Sequence, residues 1–597
     1  MLRRLAEARK GGRMENITYR TQFKDYLNEN FELIRSDQKD GVTGRLKMND
    51  LTVNEIELQK KMWRIRQQYK KRYETMQRPY PSVQPFYKVK SMAEKSELYT
   101  KVFKKMPKGG LLHVHSTAGL SVERLLMLLK AWQNIQNTDY KIMIVTIQDI
   151  NQTKVASGTL LYACQVKEAG VEGYVEPLDA FLKEEGNEQW LKELLSFSSD
   201  RAEQFTYKWD EFNTIFSRTS RLFMDSVFYY VYHIEFFKEC IEDNIYYVEL
   251  RCGYEEFTDK VQSSLEERLG EKSDCNAKNY VYKKDMAIEI SPWDNPLDSY
   301  FLDIILKARD AVNESYSKSG EKFIVKIILC ARRDLSPYKK EDRAKLLKKL
   351  DTAIVLKNTV RYKDIILGFD FVSEEDRGQI TDAYAEDIIY GSFGTGYEDV
   401  LSAEEKEKLG ELIQQEAENG VSGPRIELID FYLHDGESTW NNNFNVSGAS
   451  IICRKRIGHG FNMVNHPGTV RAVATNGGTI NSDVREPVLE ICPISNQLLG
   501  YHPDLRTHPA CSLMRSGIAC CIANDDPQLF GNPGVSYDFW SAYMAMDLDL
   551  GQIKAMVYTA YYYYQTNGCG QTNENIIRNN FDDMWESFVA RALAEWQ

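Results

Sequence analysis

Leu111-Leu-His-Val-His115 is the stretch whose reading decides the fold. An apolar run ending in two histidines two residues apart predicts a β-strand, because side chains at that spacing leave the same face of a pleated strand. Both imidazoles then point the same way. A strand end offering two neutral nitrogens suits zinc, which takes His nitrogen at about 2.0–2.1 Å and usually needs three or more protein ligands. Taken alone, His-x-His also fits ordinary polar residues at a strand end, so further ligands have to come from elsewhere in the chain.

Downstream of this strand, short apolar runs recur: Tyr246–Arg251, Ile324–Cys330, Ile365–Val372, Leu428–His434, Ile457–Gly460, Val488–Pro493 and Gly517–Asn524. Segments of helical composition separate most of them, for example Tyr300–Val312, Glu341–Leu356, Ala403–Asn419 and Arg506–Ser516. With Leu111–His115 as the first, eight β-α units predict an α/β chain, a (β/α)8 TIM barrel, whose active-site residues sit at the C-terminal strand ends. The polar residues of interest fall at those ends. His434-Asp-Gly-Glu437 closes the fifth strand, Gly458-His459-Gly460 the sixth, and Asn524-Asp525-Asp526-Pro527 the eighth. Of eight histidines in the chain, four lie at predicted strand ends.

Those residue types carry a chemistry. Three imidazoles and a carboxylate can hold zinc and leave a position for water, whose pKa the metal lowers toward ~7. Glu437, three residues after His434 and beyond Gly436, is placed to shuttle protons. His459, between two glycines that let backbone approach closely, can orient the attacking oxygen and stabilise developing charge. Of Asp525 and Asp526, one can bind metal and the other can meet the substrate.

The remainder of the chain sets limits. Its 597 residues, 43% hydrophobic and 12% aromatic, suffice for a large domain with additions. A formal charge of −12 argues against nonspecific nucleic-acid binding by the whole surface. Eleven scattered cysteines without Cys-x-x-Cys predict reduced thiols. The basic segment Met1–Met14 has no apolar run after it, so neither a secretory signal nor a membrane span is expected, and a cytoplasmic location is. Residues 1–105 are expected to be an N-terminal helical extension containing an amphipathic helix, Asn54 to Gln77, for packing or dimerisation; a homodimer or larger homo-oligomer is anticipated. Residues 106–597 are expected to be the barrel, with an insertion at about 119–220 that carries a strand, Ile142–Ile147, and an acidic helical stretch, Leu178–Leu195.

Six ordered motifs carry a resemblance: Met106-Pro-Lys-Gly-Gly-Leu-Leu-His-Val-His115, Gly368-Phe-Asp-Phe-Val-Ser-Glu-Glu375, His434-Asp-Gly-Glu437, Arg456-Ile-Gly-His-Gly460, Glu490-Ile-Cys-Pro-Ile-Ser-Asn496 and Asn524-Asp-Asp-Pro527. The chain resembles the adenosine deaminase superfamily, most closely its adenosine deaminase-related growth factor branch. The resemblance implies zinc-dependent hydrolytic deamination of the adenine 6-amino group, with His113, His115, His434 and Asp525 binding Zn2+. It further implies that Glu437 shuttles protons, His459 polarises the attacking oxygen and Asp526 contacts the purine. Ser373 stands in the purine pocket at a position usually glycine.

Two departures matter. The family's His-Ala-Gly-Glu is here His434-Asp435-Gly436-Glu437. After His115, where an aspartate usually receives the ribose 5′-hydroxyl, this chain has Ser116, Thr117 and Ala118. Hydroxyls can donate to a 5′-phosphate that an aspartate would repel, so AMP or dAMP is considered beside adenosine and deoxyadenosine, with Lys108, Arg251, Arg332 and Arg333 as phosphate ligands. Trp209 and Phe212 are candidate caps of the pocket. His233-Ile-Glu235 lacks the Pro-Cys-x-x-Cys of cytidine-type deaminases and reads as helix; Gly391-Ser-Phe-Gly-Thr-Gly396 lacks a P-loop lysine and reads as a loop. Competing readings are a non-catalytic growth-factor-like binding protein and a nucleotide-deaminating component of a larger assembly, such as a bacterial antiphage system.

Overall fold

The computed structural model describes residues 51–76, 80–133, 139, 141–148, 155–169, 173–197, 207–254, 299–316, 322–359, 361–385, 387–388, 391, 429–453, 455–476 and 486–596. The expectations for residues 1–45, for the helix Ala403–Asn419 and for the glycine-rich stretch beyond Gly391 lie outside them.

Every residue of Tyr247–Cys252 is buried. A strand covered on both faces belongs to a parallel sheet clad by helices, which is why its sequence shows no simple polar-apolar alternation. Numbered along the chain, the described strands are β1 Leu111–His115, β2 Ile142–Gln148, β3 Val155–Tyr162, β4 Tyr174–Pro177, β5 Tyr247–Cys252, β6 Ile324–Arg332, β7 Ile366–Val372, β8 Asp430–Phe431, β9 His434–Asp435, β10 Arg456–His459, β11 Val488–Ile491 and β12 Cys520–Ile522. Strands β1-β5-β6-β7-β8 form one sheet in that order and β12-β11-β10-β9 a second, with parallel pairing throughout both. The chain is thus α/β with parallel sheets, as expected.

The expected strand Leu428–His434 is divided. Its first part, β8, pairs with β7, and after Tyr432 and Leu433 its second part, β9, pairs with β10. The split marks the handover from one sheet to the other. At the opposite edges Val114 of β1 bridges Asp525, just beyond β12, with His115 N donating to Asp525 O at 3.1 Å.

The long region after β1 holds a sheet of its own, antiparallel and ordered β3-β2-β4. Only β2 is legible in the sequence; Ser157, Gly158 and Thr159 interrupt the apolar pattern of β3. The acidic stretch becomes two short helices, Leu178–Phe181 and Asn187–Leu194. The helix Lys208–Ser220 brings Trp209 and Phe212 toward the strand ends. His233 lies inside the helix Ser226–Glu242, fully buried, with its Nδ1 2.8 Å from Tyr229 O.

The helix Val53–Met76 packs against the C-terminal part of the chain. Arg66 donates to Tyr543 O and Leu548 O at 3.0 and 2.8 Å. Glu55, fully buried, receives Trp585 Nε1 at 2.7 Å and pairs with Lys554 at 2.8 Å. Breaking a buried pair leaves an uncompensated charge. Glu55→Ala is therefore expected to cost about 3 kcal/mol, read as a lower urea midpoint; an unchanged midpoint would show that Lys554 finds water instead.

Candidate active site

Two imidazoles leave the same face of β1. His113 is fully buried and His115 is partly open to a cavity of about 1000 Å3 that lies at the C-terminal strand ends. His434 opens β9 from the same level, and Asp525 follows β12 with a left-handed backbone, φ 61°. One ligand atom from each of His113, His115, His434 and Asp525 falls within 4.8 Å of all the others. Gly458 allows this approach: a Cβ there would lie 3.2 Å from both the His113 ring and the His434 backbone.

The arrangement suits a cation. His113 Nδ1 lies 2.9 Å from Glu490 Oε2, and His434 Nδ1 lies 2.6 Å from Asp370 Oδ2. A carboxylate at Nδ1 retains the proton there, so each Nε2 presents a lone pair. The His434 and His115 Nε2 atoms face each other at 3.2 Å, and both β1 histidines hold Nε2 at 3.3 Å from Asp525 Oδ1. His113 Nε2 and Asp525 Oδ1 are buried without a hydrogen-bond partner. The lone pairs of His113 Nε2, His434 Nε2 and Asp525 Oδ1 thus converge beside His115 Nε2, an arrangement that a metal ion satisfies.

Beneath the ligands runs a chain of buried charges that the sequence reading missed. Arg251 Nε donates to Asp370 Oδ2 at 2.7 Å and its Nη2 to Glu490 Oε2 at 2.6 Å. Arg456 donates to Glu490 Oε1 at 2.7 Å and also to Glu249. Burial opposes the charge on Asp370, but His434 and Arg251 hold its carboxyl well below the usual range. Glu490 is likewise held down against its burial by Arg251 and His113. Burial pushes His434 down to about 3, which keeps its imidazole neutral.

Glu437, His459 and Asp526 gather beside this centre. Gly436, at φ 83°, turns the chain after His434, and Glu437 then lines the cavity. Its Oε1 is buried and unpartnered, and lies 3.6 Å from His459 Nδ1. Burial, then the charges of Asp525, Glu375 and Asp526, push Glu437 well above the ordinary carboxylate range. His459, at φ 57°, is pushed well below its ordinary value by burial, and Asn496 Nδ2 lies 3.3 Å from its Nδ1. Burial and the adjacent Asp525 raise Asp526, whose Oδ1 also lacks a partner.

Ser116, Thr117, Ser373 and Trp209 all line the same cavity, as does Phe212. Ser373 has φ 91°, the left-handed region that glycine occupies without strain. Trp209 Nε1 donates to Tyr501 OH at 2.8 Å, which fixes the indole at the cavity wall. The four expected phosphate ligands separate. Lys108 is buried against Met106 O and Asp243 O at 2.8 and 2.9 Å, and Arg251 and Arg333 are committed to internal carboxylates. Arg332 alone keeps an exposed head at the cavity.

Parallel β-α units whose strand ends gather four side chains able to ligate a metal, beside a buried glutamate, make a candidate site for metal-dependent hydrolysis. No protein-family profile matches the chain. It is 25% identical over 513 residues to adenosine deaminase 2 of Dictyostelium discoideum, covering 85% of this chain and 78% of that one. It is 24% identical over 532 residues to human adenosine deaminase 2, covering 86% and 84%. Among solved structures it overlaps an adenine deaminase from Arthrobacter aurescens with TM-score 0.44 and 14% identity, across 81% of this chain and all of that one. It overlaps the N6-methyl-AMP deaminase from Arabidopsis thaliana with TM-score 0.42 and 13% identity, across 82% and 98%. The chain resembles the adenosine deaminase superfamily and, within it, the growth-factor branch of the adenosine deaminase 2 proteins.

That likeness overturns the expected cytoplasmic location, because the adenosine deaminase 2 relatives are secreted extracellular proteins. The thiol pattern is no guide here. A chain with so large a core needs no disulfide framework in either compartment, and none of the ten described cysteines is in a disulfide.

Asp435, where the family has alanine, points away from the metal ligands because strand neighbours alternate faces. It pairs with fully buried Arg333 and receives Thr381 Oγ1 at 2.8 Å. Arg333 also donates to Phe371 O and Gln379 O, each at 3.2 Å. Burial and the charge of Asp435 push nearby Glu375 up to about 7, while Glu375 Oε2 receives the Glu437 amide at 2.7 Å. Arg333→Met strands the Asp435 charge and is expected to cost about 3–5 kcal/mol. Adding Asp435→Ala to that variant should recover most of the loss in urea unfolding; equal losses in the single and double variants would sink this account.

Proposed function

We propose that this chain is a zinc-dependent hydrolase that removes the 6-amino group of an adenine nucleoside or 5′-nucleotide, giving the inosine form and ammonia. The observation that carries the reading is the convergence of four ligand atoms within 4.8 Å, two of them buried and unpartnered. In this reading the two parallel sheets are halves of one closed (β/α)8 barrel, residues 106–597, with the insertion at about 119–220 over its mouth and residues 1–105 as an extension. Named relatives acting on adenosine support the choice of substrate class.

His113, His115, His434 and Asp525 hold Zn2+. The ion, when bound, supplies a Lewis acid that lowers the pKa of a ligated water toward ~7. Asp370 and Glu490 keep the proton on Nδ1 of their histidines and so hold the Nε2 lone pairs in place. Glu437, raised by burial and surrounding negative charge, carries a proton that it gives to the purine ring nitrogen next to C6. His459, a neutral imidazole, orients the attacking water and balances the charge that develops. The water oxygen ends on C6, the bond from C6 to the amino nitrogen breaks, and the water's protons leave with ammonia or return to Glu437. Asp526 meets the purine, Ser373 and Trp209 wall its pocket, and Ser116 with Thr117 face the 5′ end.

The test is deamination of adenosine, deoxyadenosine, AMP and dAMP, followed by ultraviolet absorbance on zinc-loaded protein. Glu437→Ala should lower turnover by about 10²–10⁴-fold and leave zinc content unchanged. No turnover of any adenine compound by the zinc-loaded parent would overturn the reading. Asp370→Asn should weaken zinc binding by about 10–100-fold in chelator competition, because the amide no longer holds His434 as the carboxylate does. An unaltered affinity would remove Asp370 from the site.

A further inference from the structure

The mouth of the active-site cavity carries more positive charge than the purine chemistry uses. One stripe of the helix Lys340–Asn358 lines it with Lys345, Lys348, Lys349 and Thr352, at spacings of three and four residues that share a helix face. The stripe runs about 10 Å along the helix axis. The opposite side of the same helix buries Leu346, Leu350 and Ala353 in the core, so the lysines are held toward the cavity by packing behind them. Arg332, at the end of β6, adds a fourth cation to the same mouth.

The four are not equally engaged. Arg332 Nε meets Asp334 at 2.9 Å, and Lys349 Nζ sits 4.3 Å from the centre of the Tyr254 ring. Neither Lys345 nor Lys348 has a carboxylate partner among the described residues. Like charges three and four apart on a helix repel one another. Among the described residues Asp334 is the one carboxylate lining the mouth beside them, while the other acidic residues that line the cavity, Glu437, Asp525 and Asp526, lie at the metal end. A multivalent anion between these side chains would relieve the repulsion. Ser116 and Thr117 line the same cavity and carry hydroxyls, which can donate to such an anion where an aspartate would oppose it.

We infer that Arg332, Lys345 and Lys348 form a phosphate subsite, which takes the 5′-phosphate end of an adenine nucleotide whose base lies at the metal centre. The inference rests on the deaminase reading above and narrows it to phosphorylated substrates. Lysine ammoniums act here as point charges on flexible stems, which fits a phosphate that has to enter and leave at every turnover.

The experiment separates the two claims. Binding of inosine 5′-monophosphate and of inosine is measured by calorimetry on zinc-loaded protein, alongside deamination of AMP and adenosine. The parent should bind the monophosphate at least tenfold more tightly than inosine, with the gap narrowing as salt rises, since exposed charges are screened. The exposed double variant Lys345→Glu/Lys348→Glu should erase the gap and lower the AMP-to-adenosine ratio of kcat/KM at least tenfold. Lys340→Glu, on the same helix but away from the cavity, should leave that ratio unchanged and so excludes a general charge effect. Equal binding of inosine and its monophosphate by the parent, or a gap that survives the double variant, overturns the subsite. Absence of turnover in the parent overturns the deaminase reading alone, because the calorimetric comparison still decides whether phosphate binds at this mouth.

Discussion

Everything at the metal centre depends on a constraint below it: buried imidazoles need their protons placed on the nitrogen that faces away from the ion. Asp370 and Glu490 meet that need for His434 and His113, and each is itself a buried carboxylate that requires compensation. Arg251 lies between them and contacts both, while Arg456 joins Glu490 to Glu249. An isolated charge in such surroundings would be neutralised by a shift in pKa. The alternation of sign along this chain, together with the hydrogen bonds that complete it, is what allows these five titratable residues to sit together in the core, with burial pushing Glu249 upward against the pull of Arg456. The same five residues draw on β5, β7, β10 and β11, so the charge chain also ties strands of both sheets to one level.

The strand ends add a second constraint. His459 and Asp525 both stand at positive φ, a conformation that costs energy in residues other than glycine and persists where surrounding contacts enforce it. Here the enforcing contacts are local. The bridge between Val114 and Asp525 ties down the chain after β12, and Gly460 N donates to Asp435 O at 3.1 Å just past His459. The strain brings side chains that would otherwise alternate out of the site to bear on the cavity.

The substitution of aspartate for alanine beside His434 shows how a departure from a family pattern can be absorbed. Strand alternation turns Asp435 outward from the ligands, and Arg333 and Thr381 supply its partners. The acidic residue therefore belongs to the packing behind the site. It is linked to Glu437 through Glu375, which lies near Asp435 and receives the Glu437 amide.

By itself the sequence picked out the histidines and aspartates that gather at the strand ends, and most of the parallel strands. His113 and His115 are two apart in an apolar run, Glu437 follows His434 at a fixed distance, and each pattern is local enough to be read without a fold. It was silent wherever meaning depends on partners distant along the chain. Nothing near Arg251 or Arg333 distinguishes a buried counter-ion from a phosphate ligand; Asp370 and Asp435, each more than 100 positions away from its arginine, decide that. Strand β8 and strand β9 look like one run until their different neighbours divide them. Glu341–Leu356 shows only helical composition in the sequence, and it is the packing of Leu346 and Leu350 behind its lysines that turns that face to the cavity. Local periodicity and spacing are properties of the chain, whereas charge pairing and facing are properties of its three-dimensional neighbours, and those only tertiary structure supplies.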